Sequence, residues 1–333
     1  MDRILVTGGL GFIGSNFVRH FLRTRRKVEL VNVDYMGPTS NPANLKHLRE
    51  DPHYRLVKGN IADPSLCRKL VRNADAVVNF AAETHVDRSI AGPDPFLESN
   101  VIGTFNLLDA CRTTNIQKFV HISTDEVYGS IDSGSFNEKS LLNPSSPYSA
   151  TKAAADMLAK AWHATYRVPV VILRCTNNFG PYQHPEKFIP KAIIRALRGK
   201  PIPLYGGGTQ IRDWIYVEDF CTAIERSLDM GEPGEVYNIS AGNEVTNLEV
   251  AQTVLKQLGK PANKIVETED RPGHDFRYSL SSNKARRKLR WKPAKTLREG
   301  LTFTIDWYRA NTDWWSGLAS SKVLSSEPWK EKW

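Results

Sequence analysis

Residues Thr7-Gly8-Gly9-Leu10-Gly11-Phe12-Ile13-Gly14 follow a short apolar run, Arg3 to Thr7, and open a helical stretch that reaches about Thr24. Glycines at 8, 11 and 14 permit a tight turn between a buried strand and a helix. Backbone N–H groups of such a turn, with the helix N-terminus behind them, face outward and suit a pyrophosphate. A strand, a glycine turn and a helix in this order restrict the chain to α/β architectures.

The rest of the sequence continues that alternation. Apolar runs lie at Lys27 to Asp34, Arg55 to Val57, Ala76 to Phe80, Phe119 to Ile122 and Val170 to Leu173. Helical segments fall between several of them, notably Asn100 to Arg112 and Ser149 to Tyr166. Strands separated by helices predict parallel βαβ units in a doubly wound sheet. After Arg174 the rhythm changes. Pro181, Pro185, Pro190, Pro201 and Pro203 punctuate a region followed by Gly206-Gly207-Gly208. Val236 to Ile239 reads as a further strand, and Thr246-Asn-Leu-Glu249 as a capping sequence opening a helix to about Leu258. The expected division is a dinucleotide-binding domain over 1–180, with segments near 213–245 returning to it. A smaller α/β substrate domain covers 181–315, and a tail covers 316–333 with Trp329 and Trp333. A length of 333 residues suits one large core and a smaller one.

Charge and composition narrow the partners. The net charge is +9, and the densest basic run is Lys284 to Arg290. That run has no interleaved aromatic platform, so it reads as a solvated helical face and not as a nucleic-acid surface. No run of about 18 apolar residues exists to cross a membrane. Cys67, Cys111, Cys175 and Cys221 are widely spaced, without a CxxC pattern. They read as reduced structural thiols, with no metal site, and a cytoplasmic setting is expected.

Asp34 ends the second strand, twenty residues after Gly14. A carboxylate there accepts from both ribose hydroxyls of a dinucleotide and repels a 2′-phosphate, which favours NAD over NADP. Asn60 and Ile61 follow the third strand, where they could flank an adenine. Ala81 and Ala82 follow the fourth, where small side chains permit close approach.

A second constellation carries chemistry. Tyr148 and Lys152, four residues apart, share one helix face. The ammonium is expected to lower the phenol's pKa, so that a phenolate could take a proton from a sugar hydroxyl. Thr124 could orient the same hydroxyl. Adjacent Asp125 and Glu126 then need a task, and elimination of water supplies one: a base for a carbon-bound proton and an acid for the departing hydroxyl. A polar loop with solvated charges is the plainer alternative.

With these residues in place, the chain resembles the dTDP-glucose 4,6-dehydratase family of the extended short-chain dehydrogenase/reductase superfamily. The resemblance runs from Thr7 to about Trp315. Its more specific motifs are Ser123-Thr-Asp-Glu-Val-Tyr-Gly129, Pro185-Glu-Lys-Phe-Ile-Pro190 and Arg271-Pro-Gly-His-Asp275. It is also carried by Ala81-Ala-Glu-Thr-His-Val-Asp-Arg88, Asn177-Asn-Phe-Gly-Pro-Tyr182 and Arg212-Asp-Trp-Ile-Tyr-Val-Glu-Asp219. It implies a Rossmann sheet, bound NAD and dTDP-glucose as substrate. Tyr148, Lys152 and Thr124 would oxidise C4, Glu126 would take the C5 proton, and Asp125 would protonate the leaving 6-hydroxyl. Phe12, Ile13, Phe80, Ser99 and Asn178 would join the cofactor residues named above. Thr84 would face the sugar. Asn177, Lys187, Phe188, Arg212 and Asn247, with Asp270, Arg271 and His274, would hold the nucleotide diphosphate. Pro203, Leu204 and Tyr205 would line the base pocket. The resemblance also implies a homodimer built on the helices near 100–112 and 149–166. Dehydratases of UDP-, CDP- or GDP-hexoses, and less so a UDP-sugar 4-epimerase, stay as alternatives, as does a dinucleotide-binding sensor.

Overall fold

A computed structural model describes residues 1–270 and 272–331. Arg271 and Trp333, singled out above, lie outside the described residues. The apolar runs become β1 (Arg3–Thr7), β2 (Glu29–Asp34), β3 (Tyr54–Lys58), β4 (Ala76–Asn79), β5 (Lys118–Thr124) and β6 (Val170–Cys175). After Arg174 come β7 (Asn177–Phe179), β8 (Ile202–Tyr205), β9 (Ile211–Tyr216), β10 (Val236–Ile239), β11 (Glu244–Thr246) and β12 (Ile265–Thr268). Seven of these form one parallel sheet in the order β10-β6-β5-β4-β1-β2-β3. The chain leaves β1 toward β3 and then returns to β4 on the other side. Strand order therefore reverses between β1 and β4, where an open α/β sheet offers a crevice at the strand C-termini.

Both faces of this sheet are covered, which explains why its strands read as unbroken apolar runs. On one side, Phe17, Val18 and Phe21 of helix Phe12–Thr24 pack with Phe220 and Ile224 of helix Val217–Met230. On the other, Val71, Leu107, Leu108 and Ala159 come from three further helices. The longest of these, Pro147–Tyr166, starts two residues earlier than the sequence reading. Ser146 accepts from the Ser149 N–H at 3.1 Å, and the Ser149 hydroxyl accepts from the Ser146 N–H. That reciprocal cap extends the helix through Pro147, whose missing N–H costs nothing in the first turn. β2 likewise begins at Glu29 and not Lys27, because Val28 closes a turn onto the Arg25 carbonyl.

The later segments build a smaller lobe around Ile189, Ile193, Val250, Val254, Leu301 and Ile305. It carries the three-stranded sheet β11-β9-β7 and the pair β12-β8. Thr246 and Glu249 form the expected capping box at helix Asn247–Gln257. The basic run lies on helix Asn283–Lys288, where Ala285 and Leu289 face inward and Arg286, Arg287 and Lys288 stay exposed. All four cysteines are buried free thiols. Among the described residues, no helix is long and apolar enough to cross a membrane.

Candidate active site

The glycine turn is shaped by close backbone approach. Gly8 has φ +70, and a Cβ there would lie 2.7 Å from the Ala81 backbone. A Cβ on Gly14 would lie 2.5 Å from the Gly8 carbonyl oxygen. The two glycines thus let the β1 turn fold tightly on itself and press against the end of β4. Asp34 braces the same turn: its Oδ2 accepts from Leu10 N–H at 3.0 Å, and its Oδ1 accepts from Met36 N–H at 2.8 Å and the Ser40 hydroxyl at 2.7 Å. A carboxylate offers about four acceptor positions. Asp34 therefore organises the loop after β2 and keeps capacity for a further donor.

One elongated cavity runs from Asp34 and Asn60, past the glycine turn, to Tyr148 and Lys152. Every residue assigned above to the cofactor lines it. In its wall, Ser123 Oγ, Thr176 Oγ1 and Asn178 Oδ1 are buried without hydrogen-bond partners among the described residues. Buried polar atoms of this kind ordinarily have partners. A ligand carrying polar groups along its length, with a pyrophosphate at the glycine turn, fits these residues, as NAD does.

The chemical end is built from β5 and the helix Pro147–Tyr166. Lys152 donates to the Ile122 carbonyl at 2.7 Å, and burial lowers its pKa to about 8. Tyr148 is buried nearby, in edge contact with Phe96. The sequence led us to expect a lowered phenol pKa. Among the chain's own groups the reverse holds: burial and then the charge of Glu126 push Tyr148 well above its ordinary value, with a hydrogen bond from Thr84 opposing them. Lys152 is not among the principal influences on the phenol.

Thr124 ends β5 and caps the short turn Asp125–Tyr128 by accepting from Glu126 N–H at 3.3 Å. Its hydroxyl donates to Asp125 Oδ1. Burial, reinforced by Glu126, raises the Asp125 pKa well above the usual carboxylate range. Neighbouring carboxyls thus sit in different environments, the condition under which one is an acid while the other is a base. Behind them, Arg174 of β6 donates to Asp156 at 2.7 Å and to the Tyr128 hydroxyl at 2.7 Å, and Tyr128 donates to Asn238 of β10. This buried network ties the helix bearing Tyr148 and Lys152 to the turn bearing Asp125 and Glu126.

A second cavity adjoins the first and shares Thr84, Glu126, Asn177 and Lys187 with it. Phe188, Pro203, Leu204, Tyr205, Arg212, Asn247 and His274 line it as the resemblance implied. Asp270 does not. Its carboxylate instead accepts from Gln210 at 3.0 Å and bonds His274 Nδ1, so it orients His274 from behind. Arg212 donates to the carbonyls of Ile211, Asp275 and Phe276 and lies over the Tyr278 ring at 4.2 Å. It thereby holds the segment after His274 in place. Sequence reasoning missed His85, Asp87, Glu186 and Lys191, which also line this cavity. Glu186 pairs with buried Arg88 at 2.8 Å. The positive φ of His85, +97, is a local strain that no spacing rule announces.

A sequence profile of the family described as GDP-mannose 4,6 dehydratase matches residues 5–304. The chain belongs to this family. Within the GDP-mannose 4,6 dehydratase family, the chain is similar to dTDP-glucose 4,6-dehydratase of Streptomyces niveus, at 46% identity over 330 residues, covering 98% of each chain. A crystal structure of DesIV, a dTDP-glucose 4,6-dehydratase from Streptomyces venezuelae with NAD bound, is similar at 47% identity and a TM-score of 0.93. The match covers 95% of this chain and 99% of that one. UDP-glucuronic acid 4-epimerase from Bacillus cereus is similar at 31% identity and a TM-score of 0.88, covering 92% and 99%. The fold is thus shared between dehydratases and epimerases, and the adjacent carboxyls Asp125 and Glu126 bear on the choice between them.

Proposed function

We propose that this family member is an NAD-dependent dTDP-glucose 4,6-dehydratase, a hydro-lyase converting dTDP-glucose to dTDP-4-keto-6-deoxyglucose and water. The observation that carries the reading is the placement of Asp125, buried and biased to its protonated form, beside Glu126, which lines both cavities. An epimerase needs no such acid and base.

Bound NAD supplies a hydride acceptor and brings a positive charge into the cavity that Tyr148 lines, which favours the phenolate. Tyr148 takes the C4 hydroxyl proton, with Thr124 orienting that hydroxyl and Lys152 holding the helix face against Ile122. The ketone so formed acidifies the C5 proton, and Glu126 removes it. Asp125 gives its proton to the departing 6-hydroxyl, which leaves as water. With the hydride that the cofactor would hold delivered back to C6, Glu126 returns its proton to C5, so the net change is loss of one water. Lys187, His274 and the walls formed by Pro203 to Tyr205 hold the nucleotide diphosphate, and Arg212 keeps the adjoining segment in register.

We assign cofactor binding to residues 1–180 with 213–245, and nucleotide-sugar binding mainly to 181–315. A homodimer is supported by Leu97, Ile102, Phe105 and Met157. These large apolar side chains are exposed on neighbouring helical segments of one face. A cytoplasmic enzyme accords with buried free thiols. The test is purified protein with dTDP-glucose and a panel of UDP-, CDP- and GDP-hexoses. The expected product from dTDP-glucose has the near-ultraviolet absorbance of a 4-keto sugar in alkali. Turnover of another nucleotide hexose without dTDP-glucose overturns the assignment.

A further inference from the structure

We infer that Trp329 is a positioning residue for the nucleotide end of the substrate, acting through Tyr205; the inference rests on the dehydratase reading above. By composition, the segment after Trp315 reads as a loose tail. In the structure it is strapped down. Helix Phe188–Leu197 and the residue after it present Lys191, Arg195 and Arg198 at helical spacing on one face. Lys191 donates to the Ser325 carbonyl at 3.1 Å, Arg195 to that of Leu324 at 2.8 Å, and Arg198 to that of Ala319 at 3.0 Å. Ala319 and Leu324 are buried beneath this ladder.

The strap delivers its last turn, Pro328–Lys330, to the rim of the second cavity. There it packs against the short helix Val86–Ala91, which follows His85. Lys330 pairs with Glu269 at 2.6 Å, beside the segment that carries His274. Trp329, buried, meets the Tyr205 ring edge-on, with centroids 4.8 Å apart and planes at 89°. Tyr205 lines the cavity, has His274 on another side at 6.1 Å, and directs its hydroxyl to Asp87 at 3.4 Å. Trp329 thus supports the Tyr205 ring from one side, while His274 and Asp87 of the cavity wall meet it from others. The turn Pro328–Lys330 as a whole reaches Tyr205, helix Val86–Ala91 and Glu269, while lining none of the cavity itself.

The test compares wild type, Trp329→Ala, Trp329→Phe and Lys330→Ala by calorimetric titration with dTDP, and by steady-state kinetics with dTDP-glucose. Trp329→Ala is expected to weaken dTDP and raise KM by about three- to tenfold, the size of one lost aromatic pair. Its kcat falls less than twofold, and Trp329→Phe recovers most of the affinity. Lys330→Ala shifts both in the same direction, by less. Unchanged dTDP affinity in Trp329→Ala, a loss confined to kcat, or a drop in melting temperature without a change in binding overturns the proposal. Wild type that binds dTDP but does not dehydrate dTDP-glucose sinks the dehydratase reading, while the Trp329 comparison still reads out in binding. Wild type that binds no nucleoside diphosphate sinks both.

Discussion

The Thr124 hydroxyl donates to Oδ1 of Asp125 at 3.1 Å, and Oδ2 of that buried carboxyl has no hydrogen-bond partner among the described residues. An ionised carboxylate with half its acceptors unpaired and Glu126 beside it is costly to bury. A proton on the carboxyl removes most of that cost and leaves a donor where a leaving hydroxyl needs one. Asp125→Asn keeps the shape and loses the transferable proton. We expect kcat for dehydration to fall by about 100- to 10,000-fold, with binding of dTDP within about twofold in calorimetry. Full turnover in this variant removes Asp125 from the acid role.

Glu126→Gln separates oxidation from elimination. On mixing with dTDP-glucose, the variant is expected to develop the near-ultraviolet absorbance of reduced nicotinamide in its bound cofactor, yet to form little 4-keto-6-deoxy sugar. Stopped-flow absorbance and product assay read the two events independently. Wild-type product formation contradicts the assignment of Glu126 as the C5 base.

Lys191 gives a pH dependence with a definite sign. Burial lowers its pKa to about 8, from 10.5. Between those values the unfolded chain holds a proton that the folded chain has released, so stability attributable to Lys191 rises with pH across that window. Lys191→Met has no such titration. The melting temperature of wild type minus that of Lys191→Met is therefore expected to climb from pH 8 to 10. A flat or falling difference refutes the burial argument.

Asp156 and Arg174 are both almost fully buried, and Arg174 has its guanidinium on Asp156 and Tyr128. Asp156→Ala strands the guanidinium in the core. A loss of about 3–5 kcal/mol in urea unfolding is expected. A loss near zero would mean that water or repacking satisfies Arg174.

Gly14→Ala places a methyl 2.5 Å from the Gly8 carbonyl oxygen, an immovable backbone atom. The turn must open, so protein purified from this variant is expected to carry little bound NAD, measured by absorbance after denaturation, and to melt several degrees lower.

The parallel sheet was readable because its signals are local. Glycines 8, 11 and 14, and unbroken runs such as Val170 to Leu173, announce buried strands next to turns. Tyr148 and Lys152 were readable for the same reason, since helical spacing alone puts them on one face. The second cavity was harder. Its sheet β11-β9-β7 joins strands from distant stretches, and Asp87, Glu186 and Lys191 acquire meaning only through tertiary pairing. The electrostatics at Tyr148 were not readable, because spacing places Lys152 on the same helix face but does not show that the phenol is buried beside Glu126. The bonds that Asp270 makes to Gln210 and His274 were likewise invisible in the sequence, because they form only in the folded chain.

The side chains proposed to move protons ride on two adjoining elements, the turn Asp125–Tyr128 that closes β5 and the helix Pro147–Tyr166, tied together by Arg174 through Tyr128 and Asp156. The side chains that line the second cavity, proposed to face the nucleotide, come from separate stretches that include 84–87, 186–191, 203–205 and 274–278. Sequence drift in those stretches can retarget the enzyme to another activated sugar one loop at a time. A change to Arg174 or Asp156, by contrast, would loosen both elements at once, because their contact runs through that buried pair.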